Sequence, residues 1–282
     1  MARVLVIGAT GYLGSHMVAE LKAAGNWVRA LSRRRDAFDT AAQAPDEVFV
    51  GQATEAETLA GLCDRIDYVF SALGLTRQKD GLSFWDVDYK ANKAVLDLAV
   101  AAGVKQFLFI SVIRPELSAD LDIVVAREAL VRDMAAAPIA HTVVRATGFF
   151  SDMGEFLDMA KGGRVWLVGP GTARINPVHG SDVARAAIAA FGTGTTEVEV
   201  GGPETFTYAE IGALAFEVLG KPPRMARIPA WIVNAALAAL RPISRRQYTT
   251  FAFLARMMQN DMIAPTTGTH RLRDTFLARA TG

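Results

Sequence analysis

The chain has 282 residues, 51% of them hydrophobic, and its 30 basic and 29 acidic side chains leave a formal charge of +1. That length buries a sizeable core as one large α/β domain or as one domain with a small annex. The balanced charge excludes an acidic tail and the basic footprint of a nucleic-acid binder, so the expected ligand is a small molecule. A single cysteine, Cys63, cannot form an intrachain disulfide, and a glycine-rich turn starting at Gly8 leaves no room for a signal peptide. A cytoplasmic location is therefore expected.

In chain order, a β-branched run at Arg3–Ile7 predicts a strand that feeds Gly8, Gly11 and Gly14, and a helical pattern follows at Gly14–Ala24. A tight strand-to-helix turn needs residues that tolerate unusual φ/ψ. A pyrophosphate needs close backbone approach, and the new helix points its unpaired N–H groups at the phosphates. Gly8, Ala9, Thr10, Gly11, Tyr12, Leu13 and Gly14 are thus candidate cofactor residues, and the expected cofactor is a dinucleotide.

The second strand, Trp27–Leu31, runs into Ser32-Arg33-Arg34-Arg35, and the first carboxylate after it is Asp36. An NAD site places an acid at this strand end to hold the ribose 2′-hydroxyl. Ser32, Arg33 and Arg34 instead offer a hydroxyl and guanidinium forks suited to a 2′-phosphate, which predicts NADP(H) preferred over NAD(H). A solvated basic turn is the alternative.

Further strands are predicted at Glu47–Val50, Tyr68–Ser71, Gln106–Ser111 and Thr142–Arg145, alternating with helices at Glu55–Cys63, Val87–Ala102 and Ala126–Ala136. Ala72, Leu73 and Gly74 are small or slim residues at the fourth strand end, where backbone must lie against a cofactor ribose or pack as a close turn. Gly25-Asn26 and Gly103 stand where helix C-caps belong, and Pro138 breaks the chain before the sixth strand. This alternation predicts an α/β fold with a doubly wound parallel sheet, a Rossmann fold, over residues 1–148. Beyond Gly148 the chain is cut into short segments by Gly162-Gly163, Gly169-Pro170-Gly171, Gly201-Gly202-Pro203 and Pro222-Pro223. Residues 149–282 are therefore expected to build a small C-terminal substrate-side lobe, with some segments returning to the core. No apolar run reaches the length of a membrane span. The longest, Trp231–Leu240, is expected to be a packed helix, although Arg241, Arg245 and Arg246 beside it leave peripheral membrane contact open.

The spacing Gly-x-x-Gly-x-x-Gly, with Gly8-Ala9-Thr10-Gly11, resembles the extended and atypical members of the short-chain dehydrogenase/reductase superfamily. Carbonyl reductases of that superfamily use Tyr-x-x-x-Lys on the helix after the fifth strand, the tyrosine as proton donor. In Asp122–Leu130, Ile123 falls at the tyrosine position and Arg127 at the lysine position. Together with Val143–Phe150, Arg174–His179 and Asp182–Ala184, this resembles the atypical NmrA-like branch, over roughly residues 1 to 190. The stretch Thr147–Ala184 also looks like divinyl chlorophyllide reductases and isoflavone-reductase-like enzymes.

The resemblance implies an NADPH-dependent reductase of an apolar conjugated or quinone-like molecule. A hydride delivered to such a system leaves a stabilised anion that solvent or a weak acid can protonate. It also implies adenine contacts at Gln52 and Ala53, where relatives carry Gly-Asp-Leu, and places Ala146, Thr147 and Phe149 beneath the nicotinamide. Ser111 and Arg127 are the candidate catalytic residues. Arg127 would hold the nicotinamide ribose or be a surface residue paired with a nearby acid. Ser111 would reach the ligand or be satisfied by local backbone. Aromatic residues Phe149, Phe150, Phe156, Trp166 and Trp231 fit a greasy ligand or a core. His179 and Asp182 read as a structural junction, with Asp182 capping a helix that begins at Val183. No cluster has metal-ligand spacing, so no metal is expected. The rival class is a non-catalytic NADP(H) sensor or assembly protein; a sugar-nucleotide epimerase or dehydratase would need the tyrosine that Ile123 replaces. Monomer and homodimer both remain open.

Overall fold

A computed structural model describes residues 1–41, 43–75 and 81–281. Seven strands form one sheet: β1 (Arg3–Ile7), β2 (Trp27–Ser32), β3 (Glu47–Val50), β4 (Tyr68–Ser71), β5 (Gln106–Val112), β6 (Ala140–Ala146) and β9 (Glu197–Val200), in the order β3-β2-β1-β4-β5-β6-β9. The pairs β1–β2, β2–β3, β1–β4 and β4–β5 are parallel. Strand order reverses at β1, with β2 on one side and β4 on the other. That is the place where an open α/β sheet has a crevice at its strand carboxyl ends. Ile7 is paired with Ser71 there, so the turns that follow β1 and β4 emerge side by side.

The helices are α1 (Tyr12–Ala23), α2 (Asn92–Ala101), α3 (Asp122–Ala136), α4 (Phe150–Lys161), α5 (Gly180–Ala189), α6 (Tyr208–Val218), α7 (Ala230–Leu240), α8 (Arg245–Gln259) and α9 (Leu272–Thr281). Two small sheets pair β8 (Arg174–Ile175) with β10 (Phe206–Thr207), antiparallel, and β7 (Val165–Val168) with β11 (Met225–Ile228), parallel.

The chain forms two compact units. The first comprises Met1–Val112, Asp122–Arg145 and Val183–Val198; the second comprises Ile113–Leu121, Ala146–Asp182 and Glu199–Gly282. In the first unit, Leu5 and Ile7 join Val69, Phe107, Phe109 and Val143 with helix residues Val95, Leu96 and Leu130 in one buried cluster. Val4 and Val6, on the opposite face by the two-residue period of a strand, are equally buried, as expected for a sheet covered on both sides. The second unit has its own core, in which Phe150, Phe156 and Leu157 of α4 meet Ile211, Ala215 and Phe216 of α6 and Leu272 and Phe276 of α9.

Several expectations need correction. The predicted helix Glu55–Cys63 is a single 3₁₀ turn, Ala56–Leu59. Its Thr58 hydroxyl bonds to the Gln52 and Glu55 carbonyls, and Gly61 follows in the left-handed region, so local bonding displaces the α-helix while Leu59, Leu62 and Cys63 still pack inward. The helix expected at Val87–Ala102 starts as a π-helical segment, Trp85–Ala91, before α2. The helix expected at Trp231–Leu240 forms as α7, but none of its residues is buried. Phe150 and Phe156 are core, whereas Trp166 and Trp231 are exposed.

Candidate functional site

Gly8 leaves β1 at φ +74°, and a Cβ there would stand 3.0 Å from the Ala72 carbonyl carbon and oxygen. Only glycine both adopts that backbone and lets the two turns approach. The Gly11 N–H closes the turn on the Gly8 carbonyl at 3.0 Å. A Cβ on Gly14 would overlap the Gly8 carbonyl oxygen, so a side chain there would push α1 off the strand end. The N-cap of α1 is Gly11, which offers no side-chain acceptor, and the first turn holds no acid. Thr10 and Gly11 are exposed beside it. The result is a backbone cradle with positive helix-end character, suited to phosphate oxygens.

At the end of β2, Ser32 is buried and its Oγ accepts from the Arg34 N–H at 3.2 Å, turning the chain so that Arg33 and Arg34 are exposed. Arg34 has a loose ion pair with Asp36 at 3.6 Å. Gln52 donates its side-chain amide to Thr54 at 3.0 Å and to Glu55 at 2.7 Å, while Ala53 is half-buried.

The turn after β4 is held by a buried polar clamp. Ser71 donates its hydroxyl to Asn92 Oδ1 at 2.5 Å and accepts from the Leu73 N–H at 3.3 Å. Asn92 Nδ2 donates to the Leu73, Val87 and Asp88 carbonyls at 3.3, 3.1 and 3.1 Å. The bonds to Val87 and Asp88 satisfy carbonyls at the junction of the π-helical segment with α2, and the bond to Leu73 ties that junction to the turn after β4. Asp88, wholly buried, accepts from the Leu75 N–H at 2.9 Å and from Arg127 Nε at 2.9 Å. Burial pushes the Asp88 carboxyl up, and the Arg127 charge opposes that. Arg127 also donates to the Ile110 carbonyl at 3.3 Å, and its guanidinium lies where a Cβ on Gly74 would stand. Ala72, Leu73, Gly74 and Arg127 are thus brought together at the β4 and β5 carboxyl ends. Arg127 is no surface residue; its acid partner comes from a segment 39 positions away.

Ser111 donates to Glu128 at 3.0 Å, so a side chain rather than local backbone satisfies it. Glu128 forms a two-pronged pair with Arg145 at 2.8 and 3.0 Å, and Arg145 reaches Glu197 at 2.8 Å and the Val112 carbonyl at 3.0 Å. Burial pulls the Arg145 pKa down, but the bonds to Glu128 and Glu197 outweigh it and hold the guanidinium charged. Ile123 packs against the apolar group Leu75, Phe84, Val87 and Ala126.

Ala146, Thr147 and Phe149 belong to the second unit. Thr147 donates to the Asn176 carbonyl at 2.7 Å, Ala146 accepts from the Ile113 N–H at 3.3 Å, and Phe149 precedes α4 with its N–H on Asp152. The cap expected at Asp182 is corrected: α5 begins at Gly180, so Asp182 lies inside its first turn. Its buried carboxylate takes the His270 ring at 2.9 Å and the His270 N–H at 3.3 Å. The His179 and His270 rings stack at 4.2 Å. Among the described residues, no group of three or more His, Cys, Asp or Glu could hold a metal ion.

The model of the NmrA-like family matches residues 1–269. The chain belongs to that family. Among curated relatives of this NmrA-like chain, divinyl chlorophyllide a 8-vinyl-reductase of Zea mays is 29% identical over 262 residues, covering 86% of this chain. The alignment spans only 65% of the maize protein's length. Photosystem II assembly factor Ycf39 of Synechocystis is 27% identical over 256 residues, covering 88% of this chain and 74% of that one. Among solved structures, the NADPH complex of the NADPH-dependent quinone oxidoreductase QOR2 of Escherichia coli superposes with a TM-score of 0.77 at 17% identity. It covers 98% of this chain and 99% of that one, a likeness of fold.

Sequence reading passed over Asp88, Asn92, Glu128 and Glu197. Asp88 and Asn92 were detectable in principle: they lie four apart in the stripe that also carries Val87, Ala91 and Val95, and polar residues in a buried stripe need partners.

Proposed function

We propose that this NmrA-like chain is an NADPH-dependent oxidoreductase that reduces an apolar conjugated or quinone-like small molecule. The observation that carries the reading is the cradle at Gly8, Gly11 and Gly14, which a Cβ would fill, set against a turn at Ala72–Gly74 that Asn92, Asp88 and Arg127 clamp. A phosphate-bearing dinucleotide fits that donor set. When bound, NADPH supplies the hydride.

In this reading Gly8–Gly14 bind the pyrophosphate, and Ser32, Arg33 and Arg34 hold the 2′-phosphate in preference to a 2′-hydroxyl. Gln52 and Ala53 flank the adenine, Ala72–Gly74 support the ribose, and Ala146, Thr147 and Phe149 lie beneath the nicotinamide. Arg127 acts as a positioning residue, since its Nε and Nη1 already serve Asp88 and Ile110. Ser111 donates its hydroxyl hydrogen bond to Glu128 and so orients Glu128 and Arg145 rather than the substrate. Ile123 and Arg127 stand where carbonyl reductases carry tyrosine and lysine. An aliphatic group gives no proton and an arginine keeps its own, which favours an acceptor whose reduced form is protonated by solvent. The acceptors in the printed names of the maize relative and of the structural neighbour, a divinyl chlorophyllide and a quinone, are conjugated molecules. A cytoplasmic location remains part of the proposal.

The same Ile123 and Arg127 positions support a second reading, an NADP(H)-sensing assembly or regulatory protein; the Synechocystis relative is named as an assembly factor. The test is calorimetric titration with NADPH, NADP+, NADH and NAD+, followed by stopped-flow oxidation of bound NADPH against quinones and conjugated alkenes. Tight NADPH binding with turnover of one acceptor supports the reductase; tight binding without turnover favours the sensor. Equal affinity for NADH and NADPH removes the assigned role of Arg33 and Arg34.

A further inference from the structure

Helix α7 is built unlike a surface helix. Its sequence, Ala230-Trp-Ile-Val-Asn-Ala-Ala-Leu-Ala-Ala-Leu240, has no charged residue. At helical spacing, Ala230, Val233, Leu237 and Leu240 form the half-buried row, and α8 is the helix packed against α7. The opposite row, Trp231, Ile232, Ala235, Ala236 and Ala239, is exposed along its whole length, Trp231 to 72%. A helix facing water ordinarily carries charged residues on that row. Further apolar residues of the same hairpin are exposed: Ile243 in the following turn to 80%, and Phe251 and Leu254 of α8.

The α7–α8 segment itself carries charge of one sign, and an acid it meets from outside is Asp120, paired with Arg256. From Val218 to Asn260 there are seven lysines and arginines and no aspartate or glutamate. Arg241, Arg245 and Arg246 bracket Ile243 at the turn between the two helices. Apolar rows edged by arginines, with a tryptophan on the apolar side, match the boundary of a bilayer, where rings and methyls enter the acyl edge and guanidiniums meet headgroup phosphates. At about 1.5 Å per residue, the 11 residues of α7 are far too short to cross a hydrocarbon core. Among the described residues, no helix is long and apolar enough to do so. The helix would therefore lie in the interface plane. A second copy of the chain fits less well, because a two-fold interface sets the same patch against itself and would bring the arginine-rich turns of both copies together.

We propose that the α7–α8 hairpin is a peripheral docking surface for a bilayer rich in anionic phospholipid, with the exposed row of α7 inserted and Arg241, Arg245 and Arg246 on the headgroups. This assignment stands apart from the cofactor site and from any turnover.

The test is co-sedimentation of the full chain with phosphatidylcholine vesicles made with and without phosphatidylglycerol. Binding is expected on the anionic vesicles only, weakening as salt is raised, with a blue shift of emission that is absent in Trp231→Phe. Ile232→Glu with Ala236→Glu should abolish binding, and Arg245→Gln with Arg246→Gln should lower the partition roughly tenfold or more. Thermal melts of the Ile232→Glu with Ala236→Glu variant should match the parent, since both side chains are exposed on α7. Absence of binding to anionic vesicles, equal binding to neutral ones, or binding that ignores both pairs of substitutions overturns the proposal. So does a concentration-dependent dimer in sedimentation velocity that Ile232→Glu dissolves without any vesicle binding, which would give the face to a second copy.

Discussion

Replacing Arg127 by methionine tests whether the turn after β4 is held by charge. Asp88 has no exposed side-chain surface and Arg127 only 14%, and they meet at 2.9 Å. Removing one member of a buried pair leaves the other uncompensated, at about 3–5 kcal/mol. For Arg127→Met the remaining group is Asp88, already pushed up by burial, which then protonates more readily still. The N–H of Leu75 keeps its acceptor, but the Ile110 carbonyl loses its donor. A loss of about 3–5 kcal/mol corresponds to a fall in Tm of roughly 6–15 °C. The assay is urea unfolding of the cofactor-free protein, followed by tryptophan fluorescence, for Arg127→Met, Asp88→Asn and the double variant. The double variant should cost much less than the two singles together, with a coupling of about 2 kcal/mol or more. A cost below about 1 kcal/mol for Arg127→Met, adding simply with Asp88→Asn, would refute the clamp and return Arg127 to the ligand.

Gly8→Ala forces a side chain into the φ +74° region and against Ala72, 3.0 Å away. It should reduce NADPH affinity at least tenfold in calorimetry, with a stability loss of about 1–2 kcal/mol in the same urea assay. Arg33→Ala should weaken NADPH by about 2 kcal/mol and leave NADH nearly unchanged, because only the former offers a phosphate to a guanidinium. Equal losses for both cofactors would sink that assignment. Burial pushes the Cys63 thiol up to about 12. Its contribution to stability is therefore complete below the unfolded thiol's pKa of about 8.5 and is lost as pH rises from there toward the folded value. Parent protein should lose stability in that range with an extra slope of up to about 1.4 kcal/mol per pH unit, which Cys63→Ala removes; identical slopes would count against a buried neutral thiol.

The strands β1, β3 and β4 were legible to the residue in the sequence, because β-branched and aromatic runs between glycine and polar breaks leave little choice of period. The cradle was equally legible: the roles of Gly8 and Gly14 follow from local backbone geometry, and that geometry is written in seven consecutive residues. Helix starts were read less well, since α1 begins at Tyr12 and α3 at Asp122, before the apolar periodicity is established.

Residues whose meaning depends on a distant partner could not be read from the chain alone. Arg127 has no acid at helical spacing that reveals Asp88, 39 positions away, and Ser111 gives no hint that Glu128, Arg145 and Glu197 complete its surroundings. Asp182 looked like a cap because its neighbours permit one, whereas the fold brings His270 to its carboxylate. The apolar segment Trp231–Leu240 declares a helix in its composition but not whether anything covers it, and the tertiary structure leaves its outer row uncovered. What the sequence by itself determined is the doubly wound sheet and the tight glycine turn at Gly8–Gly14, because both arise from periodicity and backbone freedom over a few adjacent residues. What only the tertiary structure decided is which charges are paired and which apolar faces are exposed, because burial and Coulomb attraction act between groups that only folding brings together.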